Sequence, residues 1–197
     1  MFSVEKTLQF VALIQRFQKV TRRAYVAGED RHENDSEHTY MLTMASWYLA
    51  DSLKMSLDKD LVLKYALVHD LVEAYAGDTV VWDEEGRRTK HAREKKAQER
   101  IANEFPEFAD LNEYIERYEK REDEESTFVH ALDKLLYLFP EYLAEGKTFK
   151  EFGVTFEEER LLKRKTATGH PKVAEWLEEM QALLEKEKDR LFAPSEK

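Results

Sequence analysis

Apolar residues recur at three- and four-residue spacings along most of this chain, and these patterns predict helices joined by short polar connections. Val4, Leu8, Val11, Ala12, Ile14 and Val20 mark a first amphipathic helix over 4–20. The stretch from Thr21 to Asp35 is polar, holds three arginines and a Gly28 breaker, and reads as an irregular loop. Asp35 or Ser36 is placed to cap a second helix running to about Lys54, with its seam through Met41, Leu42, Ala45, Leu49 and Leu53. One turn back along that seam lies His38.

A third helix is predicted over 58–76, on Leu61, Val62, Tyr65, Ala66, Val68, Val72 and Ala76, with Gly77 ending it. His69 continues its apolar face. Glu73 follows four residues later, one helical turn along the same side, and Asp70 flanks them. Asp78–Gly86 reads as a connecting loop with an apolar centre at Val80, Val81 and Trp82. Residues 87–100 carry seven Lys or Arg against two Glu, a basic helix face that either attracts an anion or is solvated surface.

Further stripes follow at Ile101–Leu111 and Tyr114–Tyr118, then a solvated charged run over 119–125. The next apolar helical pattern starts at Ser126, runs through Phe128, Val129, Leu132, Leu135, Leu136, Leu138 and Phe139 and ends near Gly146; it includes Asp133 on the face of Val129 and Leu136, where a carboxylate needs a cation. Lys134 is adjacent but points about 100° away, a weak partner. Phe149, Phe152, Val154 and Phe156 anchor a connection, Gly169-His170-Pro171 opens a last helix through Leu184, and the tail over 189–197 is expected to fray.

Composition sharpens this picture. With 42% hydrophobic and 37% charged residues, only 6 Gly and 4 Pro, the 197-residue chain suits an all-α single domain, with a core over about 5–145 and further helices over 146–197. A net charge of −10 opposes nucleic acid as the main partner. The chain has no cysteine, so any metal must be held by nitrogen and oxygen. No apolar run reaches the roughly 20 residues of a membrane span and no basic leader precedes one, so a cytoplasmic protein is expected.

His38, His69, Asp70 and Asp133 come from three predicted helices, each on or beside a buried face. Two neutral imidazoles and two carboxylates carry a charge of −2, which balances a divalent cation and suits Mn, Fe, Co, Ni or Zn better than Ca. The ordered set also resembles a known family. Ser36-Glu37-His38, His69-Asp70-x-x-Glu73-x-x-x-Gly77-Asp78 and Phe128-Val129-x-x-x-Asp133-Lys134 are similar to the signature of HD-domain metal-dependent phosphohydrolases, in particular their 5′-deoxynucleotidase branch.

That resemblance covers about 5–145 and implies a helical fold, a homodimer, and hydrolysis of (deoxy)nucleoside 5′-monophosphates with a divalent metal (Co, Mn, Zn, Mg, Ni or Fe). It places the metal on His38, His69, Asp70 and Asp133, and gives Glu73 and Asp78 roles at the water, leaving group or sugar. Arg23 matches a phosphate-orienting arginine, with Arg22 an equally near candidate; substrate contacts fall to Arg23, His38, Asp70, Asp78 and Thr79. Two departures stand out. Ala24 replaces an aromatic associated with deoxyribose selection, leaving Tyr25 as a substitute, and Val80-Val81 replaces a proline-containing turn. Glu33, Glu85 or Glu94 are candidates for assisting a second ion. The rival readings are phosphodiester or nucleoside triphosphate hydrolysis within the same superfamily, and a helical module that binds metal or nucleotide without turnover.

Overall fold

The computed structural model describes residues 3–79 and 84–194, so the Val80-Val81 departure, Trp82 and the chain ends lie outside the described residues. The chain divides into two compact units. The first comprises Met1–Arg22 and Asn34–Lys120, the second Arg23–Glu33 and Arg121–Lys197. Both are helical, as the spacing and the scarcity of Gly and Pro predict.

The first unit holds α1 (Val4–Phe17), α2 (Asp35–Ser52), α3 (Lys59–Val68), α4 (Glu73–Ala76), α5 (Glu84–Glu104) and α6 (Ala109–Lys120). Its core gathers Leu13, Phe17, Val68, Leu71, Ile101 and Ile115, and Phe10 packs edge-on to Phe105 at 5.4 Å. The stripe that predicted α1 is not its buried face: Val4, Leu8 and Val11 are exposed, while Leu13 and Phe17 are buried. Two faces of α1 are therefore apolar, and spacing alone does not rank them. α5 starts at Glu84, so the polar end of the expected loop is already helix.

Two corrections bear on the chemistry. Thr21–Asn34 is not irregular: β1 (Thr21–Tyr25) pairs with β2 (His32–Asn34), Val26 N–H donates to the Arg31 carbonyl at 3.0 Å, and Gly28 supplies a positive φ of 79° in the turn. Nor does one helix run over 58–76. After Val68 the backbone bonds tighten to three-residue spacing, with Leu71 N–H on Val68 and Glu73 N–H on Asp70, before α4 begins. This break falls on His69-Asp70, and it removes the single α-turn phase that placed Glu73 beneath His69. Gly77 ends α4 with φ 73°, as expected.

The second unit holds α7 (Glu124–Leu136), α8 (Leu138–Leu143), α9 (Lys147–Glu151), α10 (Phe156–Thr166), α11 (Pro171–Lys186) and α12 (Lys188–Leu191). Phe128, Leu132, Leu135, Phe149, Leu177 and Leu184 fill its core. The tail is ordered further than predicted: Leu191 is fully buried and Phe192 stacks on Phe149 at 4.4 Å. The expected anchors Phe149, Val154 and Phe156 are buried, whereas Phe152 is exposed.

Candidate metal and phosphate site

In the first unit, α2 is started by Asn34 rather than by Asp35 or Ser36. Its side chain accepts from the Ser36 and Glu37 N–H groups, and Glu37 returns a bond to the Asn34 N–H, a capping box. That fixes Asp35 and His38 one turn apart on the buried side of α2, and both are buried. Asp35, expected only as a cap, is thus a candidate site residue. Its three-residue spacing from His38 was the available signal.

His69 sits where α3 stops. Its Nδ1 lies 2.9 Å from the Ala66 carbonyl, and because a carbonyl only accepts, Nδ1 carries the proton. Nε2 then presents its lone pair, 3.0 Å from Asp70 Oδ2, and the His38 ring is 5.4 Å away, centre to centre. Two lone-pair atoms at that separation require a proton or a metal ion beside them. The carbonyl contact is also the kind of outer bond that orients a ligating imidazole.

Beside this pair, one oxygen from each of Asp35, Asp70 and Glu73 lies within 4.8 Å of the others. Arg22 bridges two of them, at 3.2 Å from Asp35 Oδ1 and 2.9 Å from Asp70 Oδ2. Lys90 on α5 approaches Glu73 Oε1 at 3.4 Å. Asp35 Oδ2 and Glu73 Oε2 are buried without a hydrogen-bond partner among the described residues. Such oxygens are costly to leave unpaired, and their chemistry fits a hard or borderline divalent cation.

Burial, helped by the neighbouring Asp70, pushes the Glu73 carboxyl well above its usual value despite Lys90. Burial likewise raises Asp35 to about 6 against the pull of Arg22. Burial alone lowers Lys90, but Glu73, Glu94 and Asp70 together raise it. Glu73 is thus a carboxyl biased toward its protonated form.

Asp78 is half-buried and close enough for its charge to raise both Asp35 and Glu73. Thr79 is buried, its hydroxyl accepting from Arg93 at 2.6 Å. Neighbouring strand residues point to opposite faces, and the two arginines follow that rule. Arg22 meets the acidic group, whereas Arg23 lies over the Phe152 ring at 5.5 Å in the second unit. Ala24 is buried, and Tyr25 packs against His32 at 4.3 Å. Asp133 is buried on α7 in the second unit and, contrary to the expectation from its direction, Lys134 pairs with it at 2.5 Å. Of the other acids, Glu33 is buried in the second unit, Glu85 is exposed, and Glu94 pairs with Lys90 at 3.3 Å. Lys90 and Arg93 belong to the basic run, whose solvated appearance hid them.

A buried His38, a His69-Asp70 pair at a helix break and clustered carboxylates form a candidate metal site. The HD-domain family model matches residues 14–174, and the chain belongs to that family. Among curated relatives, it is 33% identical over 130 residues to the human 5′-deoxynucleotidase HDDC2, a match covering 64% of this chain and 62% of that protein, so the chain spans less than two thirds of that relative's length. The Schizosaccharomyces pombe 5′-deoxynucleotidase hdd1 is 25% identical over 182 residues, 87% of this chain and 86% of that one. Among solved structures, a predicted metal-dependent phosphohydrolase from Magnetospirillum magnetotacticum superposes with a TM-score of 0.80 at 27% identity, covering 97% of this chain and 98% of that one.

Proposed function

We propose that this protein is a metal-dependent phosphomonoesterase that hydrolyses (deoxy)nucleoside 5′-monophosphates to nucleoside and phosphate. The observation that carries the reading is the buried His38 and His69 with the half-buried Asp70, beside the unpartnered oxygens of Asp35 and Glu73. The names of the HD-domain relatives point to the same substrate class.

His38, His69, Asp70 and Asp133 hold the divalent ion in this reading. Co, Mn, Zn, Mg, Ni and Fe all suit a mixed nitrogen and oxygen set. Such an ion, when bound, acidifies a water and offsets charge on the phosphoryl oxygens. Water attacks phosphorus, the bond from phosphorus to the 5′-oxygen breaks, and that oxygen must gain a proton. Glu73, biased toward its protonated form, donates it. In this reading Arg22, rather than Arg23, orients the phosphate through its planar guanidinium; its contacts with Asp35 and Asp70, against the Phe152 contact of Arg23, support that choice. Asp78 and Thr79 follow α4 and contact the sugar or the attacking water.

Ala24 supplies no ring against the sugar, so ribose and deoxyribose substrates are both admitted. A homodimer and a cytoplasmic location complete the proposal. Exposed Tyr40, Met44, Trp47 and Tyr48 on α2, next to an apolar groove of about 570 Å³, support the first; the second goes with the finding that no helix among the described residues is long and apolar enough to cross a membrane. The test of the reaction is phosphate release from ribo- and deoxyribonucleoside monophosphates, with Mn, Co, Mg or Zn. Release of phosphate alone supports the proposal, whereas pyrophosphate or triphosphate from higher nucleotides, or tight binding without turnover, replaces it.

A further inference from the structure

The basic helix α5 has a contact that the proposed chemistry leaves unused. The Arg93 guanidinium donates to the Ala76 carbonyl, to the Gly77 carbonyl at 3.5 Å and to Thr79 Oγ1 at 2.6 Å. The same group reaches the Gly86 carbonyl at 3.4 Å and Thr89 Oγ1 at 3.4 Å, both on α5 itself. One side chain therefore joins the end of α4 to the start of α5. Asp78 lies between the residues that Arg93 holds. Gly77, with φ 73°, is the point where the backbone changes direction, and among the described residues the segment's helical backbone bond is the Gly77 N–H on Glu73 at 2.8 Å.

We infer that Arg93 is a positioning residue that fixes the Gly77-Asp78-Thr79 segment against Glu73, and so sets where the Asp78 carboxylate stands in the site. The reasoning rests on the proposed function for its catalytic consequence, but not for the clamp itself. Three acceptors at the end of α4 need a donor set spread in a plane. Guanidinium has it; the ammonium of a lysine, on a longer flexible stem, holds one or two at a time. Lys90, three residues earlier on α5, meets Glu73, so the same helix face steadies both acids that the reaction uses.

The test compares the full-length wild type with Arg93→Lys and Arg93→Ala, loaded with Mn. Amide hydrogen exchange is read over 77–79 and over α3 as control, and turnover of dAMP is measured. The clamp predicts faster exchange confined to 77–79 in Arg93→Ala, an intermediate rate in Arg93→Lys, and kcat lowered about 10- to 100-fold with KM within about threefold, since Arg93 touches no substrate. Added guanidinium ion restores part of both the protection and the turnover of Arg93→Ala and does nothing for the wild type. Unchanged exchange at 77–79, exchange raised equally across α3, or faster local exchange with wild-type kcat each overturns the inference. If Arg93→Ala does not fold, Arg93→Lys decides alone: wild-type exchange and kcat in that variant overturn it. A wild type inactive on every nucleoside monophosphate defeats the proposed function instead, and the exchange data still decide the clamp.

Discussion

Each unit buries carboxyl groups, and Glu141 of the second is served differently from the Asp35, Asp70 and Glu73 cluster of the first. In the second, Glu141 is fully buried and accepts from the backbone N–H of Thr148 at 3.2 Å and from its hydroxyl, local donors built into the start of α9. Glu159, also buried there, faces Lys163 at 3.5 Å. In the first, Asp35, Asp70 and Glu73 crowd together, and Arg22 and Lys90 do not satisfy all of their oxygens. Glu141 comes with its donors, whereas both Glu159 oxygens, like Asp35 Oδ2 and Glu73 Oε2, are buried without a hydrogen-bond partner among the described residues, and a single ammonium faces them. A cluster that holds unmet acceptors in place, at an electrostatic cost, is arranged for something that arrives later.

The sharpest way to break this contrast is to remove the centre of the first unit's site. His69→Ala and Asp70→Ala should each lower metal-dependent phosphate release by roughly 1,000-fold or more, with the helical circular dichroism retained. Wild-type turnover in either, after chelation, sinks the assignment. Next in size is Glu73→Gln, which keeps the shape and removes the proton: a loss in kcat of roughly 100- to 10,000-fold is expected. The same variant, unfolded with denaturant at pH 8 in chelator, should be at least as stable as wild type, because it sheds a charge that burial and Asp70 disfavour. A clear drop in stability would make Glu73 a structural acid like Glu141.

Two smaller effects probe the second unit. Gly146 has φ 66°, and a Cβ there would stand 1.8 Å from the Leu191 carbonyl oxygen. Gly146→Ala should therefore cost about 2–4 kcal/mol in denaturant unfolding; a cost under about 1 kcal/mol would show that the α12 segment moves aside freely. Glu141 is raised by burial, against the Thr148 bonds, from 4.5 to about 7. The folded protein then holds this proton more tightly than the unfolded chain. Its contribution is full below pH 4.5 and is lost as pH rises through about 7, about 1–3 kcal/mol in all. Glu141→Gln should flatten that part of the stability profile, and an unchanged slope would assign it to another group.

The placement of several candidate residues within their helices was legible in the sequence because burial and helical spacing are coupled. His38 on the inner side of α2, Asp133 on the inner side of α7 and Gly77 at the end of α4 all lie where periodicity put them. The break after Val68 was not legible. Apolar residues at Leu71 and Val72 continue the pattern whether the backbone bonds span four residues or three. The opposite facing of Arg22 and Arg23 follows from β1, and a five-residue strand holding two arginines resembles a loop in sequence. Lys90, Arg93 and Asp35 were hidden for a common reason. Charge patterns in sequence do not distinguish a solvated face from one turned toward buried acids, so their partners became visible only with the fold.

The central claim is metal-dependent release of phosphate from a nucleoside 5′-monophosphate by the His38, His69 and Asp70 site. The most direct measurement follows phosphate from dAMP with the wild-type chain after chelation, then after addition of Mn or Co, with Asp70→Asn in parallel. The account predicts no release in chelator, recovery on adding metal, and no recovery in Asp70→Asn. Equal release with and without metal, or full recovery in Asp70→Asn, would contradict it.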